Sequence, residues 1–443
     1  MNETTAAIVE GLVVVLAIVM GVRLGGIGLG LWGAAGTFVL IFGFQDTPGE
    51  PPTAAFFIII AVITASAAMQ AAGGIDYLVG IAGKIIQRNP SRITYVAPLV
   101  TFAFTVGAGT GNIYLSLIPV IYATSYEAQI RPERPLSVST IASGFGLTAS
   151  PVAAAMAAML ALVTVQDASF TLTDILIVTI PAGIAGTLVA SFVMSHRGKD
   201  LAEDEVYQRR LAEGKIQPPA AIEDRELQPG AKRSAMIFLV GVALIVLMGL
   251  FPELRPDVIP TDDGGMDPLG MNETIQLTMF VVALVIVMWN HVKPADVARQ
   301  PLIASGLVAA IALFGLAWMT ATYLDNNPIV IDSIGDIVSS YPLFLAVALF
   351  LVCALTTSQS ATTNAIVPIG LAALAVPTVV AMWPSLVGCF MLPANGTQLA
   401  AVEIDQTGST HLTKNPLVHS FTIPVFTGWA GALAVGLLVS RFV

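Results

Sequence analysis

Long apolar runs separated by short polar punctuation organise this chain. They fall at about 6–22, 24–44, 53–69, 136–165, 172–195, 233–251, 273–292, 302–324, 384–403 and 418–441. Each is near the roughly 20 residues a helix needs to cross a bilayer's hydrocarbon core. Two further stretches, about 93–125 and 343–382, are apolar but broken near their middles by polar, Gly-rich or Thr-rich segments. Either half alone is short for a crossing, so the pattern predicts re-entrant helical hairpins there. The expected architecture is an all-α polytopic membrane protein with ten spans and two hairpins.

Composition agrees. Of 443 residues, 56% are hydrophobic and 11% charged, against roughly 25% charged in ordinary soluble domains. Soluble enzymes are thereby excluded. A net charge of −10 without a basic patch also excludes nucleic-acid partners. Cys353 and Cys389 both fall in apolar stretches, which argues against a disulfide frame or thiolate metal cluster. The N-terminal MNETTAAIVEG has no basic region ahead of its apolar run, so that run is expected to be retained.

Basic residues set the threading, because cytoplasmic loops are enriched in Lys and Arg. With the N-terminus outside, all of the 19 Lys and Arg except Arg255 and Arg441 fall on the cytoplasmic side. Both termini are then external. Were either interrupted stretch a single crossing, every later loop would flip and this bias would collapse. Eight basic residues lie in the His196–Arg233 segment, which reads as a solvated cytoplasmic connector carrying a short charged helix, EDEVYQRRLAEG.

The chain therefore divides into 1–195, a linker at 196–232, and 233–443. Each outer part reads as three spans, a hairpin and two spans. Five crossings per part is odd, so the second is an inverted repeat of the first, an arrangement of secondary transporters whose substrate site lies at the repeat interface. Corresponding amphipathic segments follow the third and eighth spans, with Asp76 and Asp332 early and Pro90 and Pro342 at their ends. The repeated MNET at 1–4 and 271–274 breaks this pairing and reads as chance.

Four segments interrupt the apolar pattern at membrane depth: GAGTGN (107–112), GLTASP (146–151), TTSQSATTN (356–364) and LPANGTQ (392–398). Backbone groups freed by such breaks cannot face lipid and must be buried in protein or line a watery cavity. Half-helix N-termini there would attract a carboxylate without a basic side chain. Thr110, Asn112, Thr148, Ser150, Thr362, Thr363, Asn364, Asn395 and Thr397 add neutral donors. Carbonyls near Asn112 and Asn364 offer a place for Na⁺. Two such tips facing one cavity suit a short diacid. Close helix packing is the competing explanation for a lone Gly-rich string, but it does not explain four breaks in corresponding places.

Glu10 is the only acidic residue well inside a span, and either serves a proton relay or reaches the interface. His196, His291, His411 and His419 lie at span ends without metal spacing. Asp405 and Lys414 read equally as a gate or as a capped helix end. No phosphate-binding loop, HExxH or GxSxG occurs, so neither an ATP-driven motor nor an enzyme is expected.

VRLGGIGLG (22–30), AMQAAGGIDYLVG (68–80), GAGTGNIYLSLIPVI (107–121), RPLS (134–137), TASP (148–151), SQSATTNAIVPIGL (358–371) and TQLAAVEIDQTGST (397–410) resemble the anaerobic C4-dicarboxylate transporter (Dcu) family of bacteria. The resemblance implies an inner-membrane carrier that exchanges fumarate, succinate, malate or aspartate, and the family is grouped with elevator-type ion transporters. Residue by residue it points to Gly109, Thr110, Gly111 and Asn112, to Thr148, Ser150 and Pro151, and to Ser358, Gln359, Ser360 and Thr362. The chain departs from the family pattern at Asn364, where a Lys is common, and at Ala394, Asn395 and Gly396. These departures put the preferred diacid in question, and the sensor-kinase partnership of some members is not carried over. No cofactor is expected, Na⁺ or H⁺ coupling is left open, and a homodimer is expected by analogy. The rival readings are a Na⁺-coupled carrier of another organic anion or amino acid, and a dicarboxylate-binding membrane sensor.

Overall fold

The computed structural model describes residues 3–443 apart from 25, 168, 217–226, 261–264, 331–339, 393–394, 414 and 416. The first half runs through α1 (Glu3–Leu24), α2 (Gly28–Val39, prolonged by a π-helical turn to Phe44), α3 (Thr53–Ala71) and α4 (Gly74–Gln87). Next come α5 (Ile93–Ala108), α6 (Asn112–Glu127), α7 (Glu133–Thr148), α8 (Ala154–Gln166) and α9 (Leu172–Ser195). After the linker helix α10 (Glu205–Ala212) follow α11 (Ala231–Leu250), the antiparallel ribbon β1 (Asp257–Pro260) and β2 (Met266–Pro268), α12 (Met271–Trp289), α13 (Pro294–Ala298) and α14 (Pro301–Asn326). The chain closes with α15 (Leu343–Thr356), α16 (Gln359–Ala373), α17 (Val376–Met382, continued as a 3-10 helix to Phe390), α18 (Gly396–Ile404) and α19 (Thr422–Val439).

Among the described residues, seven helices are long and apolar enough to cross a membrane: α1, α3, α9, α11, α12, α14 and α19. The protein is thus an all-α polytopic membrane protein, with the small ribbon as an unanticipated addition in the 252–272 loop. The interrupted stretches are helix pairs, α5–α6 and α15–α16, and the broken stretches are α7–α8 and α17–α18. One boundary differs from expectation. The chain breaks at Leu374–Ala375, and Pro377 in the first turn helps start α17, so 376–382 belongs with the 384–403 segment rather than with the pair before it. Asp332 and Lys414 lie outside the described residues.

Small residues set the packing. Gly30 and Gly33 of α2 meet the backbone of α14 so closely that a Cβ would come within 2.1 Å of Ile311 O and 2.4 Å of Gly315 C. Gly186 of α9 and Gly428 of α19 touch in the same manner, a Cβ on Gly186 falling 2.7 Å from Gly428 O. Backbones can approach like this only where side chains are absent, the usual device where helices cannot rely on expelling water to associate. Both seams join a helix of the first half to one of the second.

The linker's first part is largely exposed, as expected of a solvated connector, but it is docked rather than free. Arg131, in the α6–α7 turn, binds Glu133 at 2.6 Å and also Asp204, while Arg134 binds Asp200 at 2.7 Å. Asp204 caps α10 through Val206 N and Tyr207 N. Leu201, Tyr207 and Ile216 bury against Tyr126, and that burial pushes the Tyr207 phenol up to about 12. At its far end Gln228 packs on Gly73, the left-handed turn before α4.

Arg131 neutralises two carboxylates whose side chains are only 6% and 8% exposed. Arg131→Ala should therefore cost about 3–5 kcal/mol, whereas Lys199→Ala, which breaks the exposed 3.8 Å pair with Glu205, should cost less than about 1 kcal/mol. Thermal unfolding in detergent compares them, and equal melting points would show that the clasp carries no stability.

Candidate functional site

The sequence between α5 and α6 forces a tight reversal. Gly109 ends α5 in the left-handed region at φ 68°, and a Cβ there would fall 2.7 Å from Val152 O. Only glycine meets both demands. Between α15 and α16 the corresponding left-handed residue is Thr357 at φ 53°. A β-branched residue there is strained by about 1–3 kcal/mol, and the surroundings hold it: Thr356 Oγ1 contacts Thr362 Oγ1 at 2.8 Å, and Thr362 Oγ1 donates to Ser358 O at 2.9 Å.

The two turns meet. Gly109, Thr110, Gly111 and Asn112 from one, and Thr357, Ser358, Gln359 and Ser360 from the other, line a single cavity of about 320 Å³. The breaks contribute too: Val152 to Ala155 after α7, then Cys389, Phe390, Asn395 and Thr397 around the start of α18. The opposite wall comes from α3 (Ile59, Val62, Ile63, Ser66) and α14 (Leu302, Ser305, Gly306, Ala309). This volume is at the small end of the roughly 300–1,000 Å³ typical of ligand pockets.

The residues preceding α6, α8, α16 and α18, namely Gly111, Ala153, Ser358 and Asn395, all line this cavity. Four helix N-termini therefore open on one space. Ser358 caps its helix by accepting from Ala361 N, and Asn395 accepts from Thr397 N. Gly111 and Ala153 offer no side-chain cap of their own, although Thr110 Oγ1 accepts from Asn112 N at 3.2 Å at the start of α6. Each terminus carries the equivalent of roughly +0.5 charge, so four sum to roughly +2. None of the lining residues is Lys, Arg, His, Asp or Glu.

Other expected site residues stand behind this wall. Thr148 Oγ1 donates to Phe145 O at 3.0 Å, and Ser150 Oγ donates to Val106 O at 2.7 Å, tying the α7–α8 break, with buried Pro151, to α5. Thr363 Oγ1 donates to Gln359 O and accepts from Trp383 Nε1 at 2.9 Å. Asn364 Nδ2 donates to Ser360 O at 2.7 Å within its own helix. Thr362 pins the turn as described, and Gly396 begins α18 beside Asn395. Ala394 lies outside the described residues.

Thr357 lies within the TTSQSATTN break, but its left-handed backbone has no sequence signal, since it is not a glycine. The α3 and α14 walls carry no sequence signal, because they are ordinary apolar helices until the fold turns one face to the cavity.

Glu10 lies elsewhere. It is buried and accepts from Asn327 Nδ2 at 2.5 Å. Burial and the neighbouring Glu10 carboxylate hold Asp46 above the usual carboxylate range. Asp405 accepts from Thr407, Ser409 Oγ and Thr410 N, and so organises its own turn. Among the described residues no group of three or more His, Cys, Asp or Glu could hold a metal ion.

The family model described as anaerobic C4-dicarboxylate membrane transporter matches residues 6–443. The chain belongs to that family. It is 35% identical over 430 residues to the anaerobic C4-dicarboxylate transporter DcuB of Escherichia coli, covering 95% of each chain. To the C4-dicarboxylate transporter DcuA of Wolinella succinogenes it is 36% identical over 433 residues, covering 97% of each. Two solved structures share the fold at low identity. The YdaH transporter of Alcanivorax borkumensis superposes with a TM-score of 0.55 at 14% identity, over 100% of this chain and 98% of that one. MtrF of Neisseria gonorrhoeae gives 0.54 at 12%, over 92% and 84%. The protein is a membrane transporter and not an enzyme.

Gly109→Ala should abolish uptake while the protein still reaches the membrane, because the new methyl meets both strain and Val152 O. Uptake of labelled dicarboxylate alongside immunoblotted membrane levels measures this; wild-type uptake would show that the turn's shape is dispensable.

Proposed function

We propose that this protein exchanges C4-dicarboxylates such as fumarate, succinate, malate and aspartate across a bacterial inner membrane. The observation that carries the reading is the convergence of four helix N-termini on one cavity without a charged side chain. A diacid brings two negative charges, and four termini supply about the same positive charge from fixed, already oriented backbone dipoles. The match between ligand and site is electrostatic and also inexpensive in reorganisation, since no flexible side chain has to be ordered.

The same balance supports antiport. With a diacid bound, the site is near neutral and can cross the low-dielectric region. Empty, it would carry uncompensated positive ends through that region, at a cost that grows as the dielectric falls. Return without a second dianion is therefore slow, and exchange is favoured over net flux.

In this proposal 1–195 and 233–443 are inverted repeats joined by the 196–232 linker, and α5–α6 and α15–α16 are re-entrant pairs entering from opposite sides. The body built from α5 to α9 and α15 to α19 slides as an elevator past α1–α3 and α11–α14, whose α3 and α14 wall faces the cavity. Both termini are external, and dimerisation through the static helices belongs to the same reading.

Counterflow in proteoliposomes tests it: external labelled fumarate should accumulate against internal succinate. Binding without exchange would mark a sensor, and dependence on a Na⁺ gradient would mark a Na⁺-coupled carrier.

Two sharper outcomes follow from the electrostatics. Ser358→Asp keeps a good helix cap but places a carboxylate where a substrate carboxylate would sit. It should raise the apparent KM by about 100-fold or more, equivalent to about 2.7 kcal/mol, with normal insertion; an unchanged KM would remove the α16 N-terminus from the site. Because no lining Asp, Glu or His titrates, the pH dependence of affinity should be the substrate's own. Succinate, whose second carboxyl is the weaker acid, should lose affinity at a higher pH than fumarate as pH falls. Parallel competition curves would place the titrating group on the protein.

A further inference from the structure

α11 and α12 each bury one face and leave the other open to the bilayer. On α11, Ala235, Phe238, Val242 and Ile245 recur every three or four residues and are buried, while Met236, Val240 and Leu244 are 48%, 61% and 44% exposed. On α12, Leu277 and Val281 are exposed beside buried Ile275 and Met279. Between the two outward faces runs a groove of about 490 Å³ whose lining is apolar except for Thr278. Gly241 forms its floor, where a Cβ would come within 2.3 Å of Val282 Cγ2. From Arg233 to Leu244 the helix rises about 16 Å at 1.5 Å per residue. That is close to the depth of one leaflet of a hydrocarbon core about 30 Å thick.

One end of the groove is basic. Lys232 and Arg233 stand in the first turn of α11, and His291 and Lys293 follow the end of α12; all four are exposed. Arg233 is held in place. Asn290 Nδ2 donates to Ile286 O at 2.9 Å, which leaves its Oδ1 to accept from Arg233 Nε at 2.9 Å. None of Lys232, Arg233 and Lys293 forms an ion pair with another described residue. The first turn of α11 holds no acidic residue either, so its cations face the helix's positive end uncompensated. Trp289, 60% exposed at the same level, is the kind of side chain that borders lipid headgroups.

We propose that this groove seats one acyl chain of an anionic phospholipid, with its phosphate held by Lys232, Arg233 and Lys293. Basic pockets between membrane helices recognise acidic headgroups in this way. The chain already lies in hydrocarbon, so the groove adds packing contacts alone, and the choice among lipids falls to the headgroup. A second copy of the protein is the poorer occupant. Copies in one membrane share an orientation, so a two-fold axis along the bilayer normal would set the same basic ends against each other at equal depth. Like charges so placed oppose association.

Titration of the detergent-purified protein with lipid, read by native mass spectrometry, tests this without a transport assay. Phosphatidylglycerol should bind the wild type at least about tenfold more tightly than phosphatidylcholine with the same chains; equal affinity overturns the proposal. Each basic residue at a headgroup is worth roughly fivefold, so Lys232→Gln with Lys293→Gln should weaken phosphatidylglycerol by about 30-fold and leave phosphatidylcholine unchanged. Lys199→Gln, which removes an exposed charge elsewhere, should change neither. An equal loss there would show that net charge alone attracts the lipid, and would overturn the site. Val240→Trp fills the groove from an exposed position and should weaken both lipids; unchanged binding would place the chain elsewhere. Displacement of phosphatidylglycerol by inorganic phosphate would mark an anion site without a lipid. A dimer in the same spectra that Val240→Trp dissolves, with lipid binding intact, would assign the groove to a second copy. Either result overturns the proposal.

Discussion

A dianion can be held inside a membrane protein only if its lost hydration is replaced. In this chain Gly111, Ala153, Ser358 and Asn395 each stand at the start of a helix, and all four open on one cavity whose lining holds no Arg or Lys. The remainder of the fold can be understood as the means of bringing those four ends together. Helices must be interrupted at membrane depth to expose N-termini there, and the interruptions must be walled by protein, because lipid satisfies no backbone group. Hence the paired short helices, the broken helices, and the α3 and α14 wall that closes the remaining side.

Close approach of backbones follows from the same demand. The turn at Gly109 presses on Val152, the start of the α8 break, and Ser150 reaches back to Val106. Thr357 sustains a strained conformation at the matching turn because Thr356, Ser358 and Thr362 brace it. Most of the hydroxyls and amides near these turns therefore serve the shape of the cavity rather than its contents. Thr148, Thr363 and Asn364 are buried and bonded within the protein, and their part is to hold the helix ends still. Gln359 braces the same wall, its amide nitrogen donating to Gly144 O.

The clasp at Arg131 shows that the linker has two anchorages of different kind. Its first part is ionically and hydrophobically bound to the α6–α7 turn, and its last part packs on the turn before α4. Under the elevator reading these anchorages lie on the body that moves and the body that stays, so the linker belongs to the mechanics as well as to the connectivity.

Much of the architecture could be read from the chain alone. The apolar runs placed the long helices because helix length in a bilayer is set by its thickness, and the interruptions at 107–112, 146–151, 356–364 and 392–398 marked the breaks because Gly, Pro and clustered hydroxyls disfavour a continuous apolar helix. Those local signals also located both turns and most polar residues near the cavity. Only the tertiary structure decided which of them face it. Thr110 and Ser360 line the space while Thr148 and Thr363 do not, a distinction set by helix rotation and packing partners far away in sequence. The wall from α3 and α14, the ionic docking of the linker and the bracing of Gly144 by the Gln359 amide were likewise illegible in the chain. Each depends on contacts between segments tens to hundreds of residues apart, and pattern along a sequence carries no record of which distant surfaces will meet.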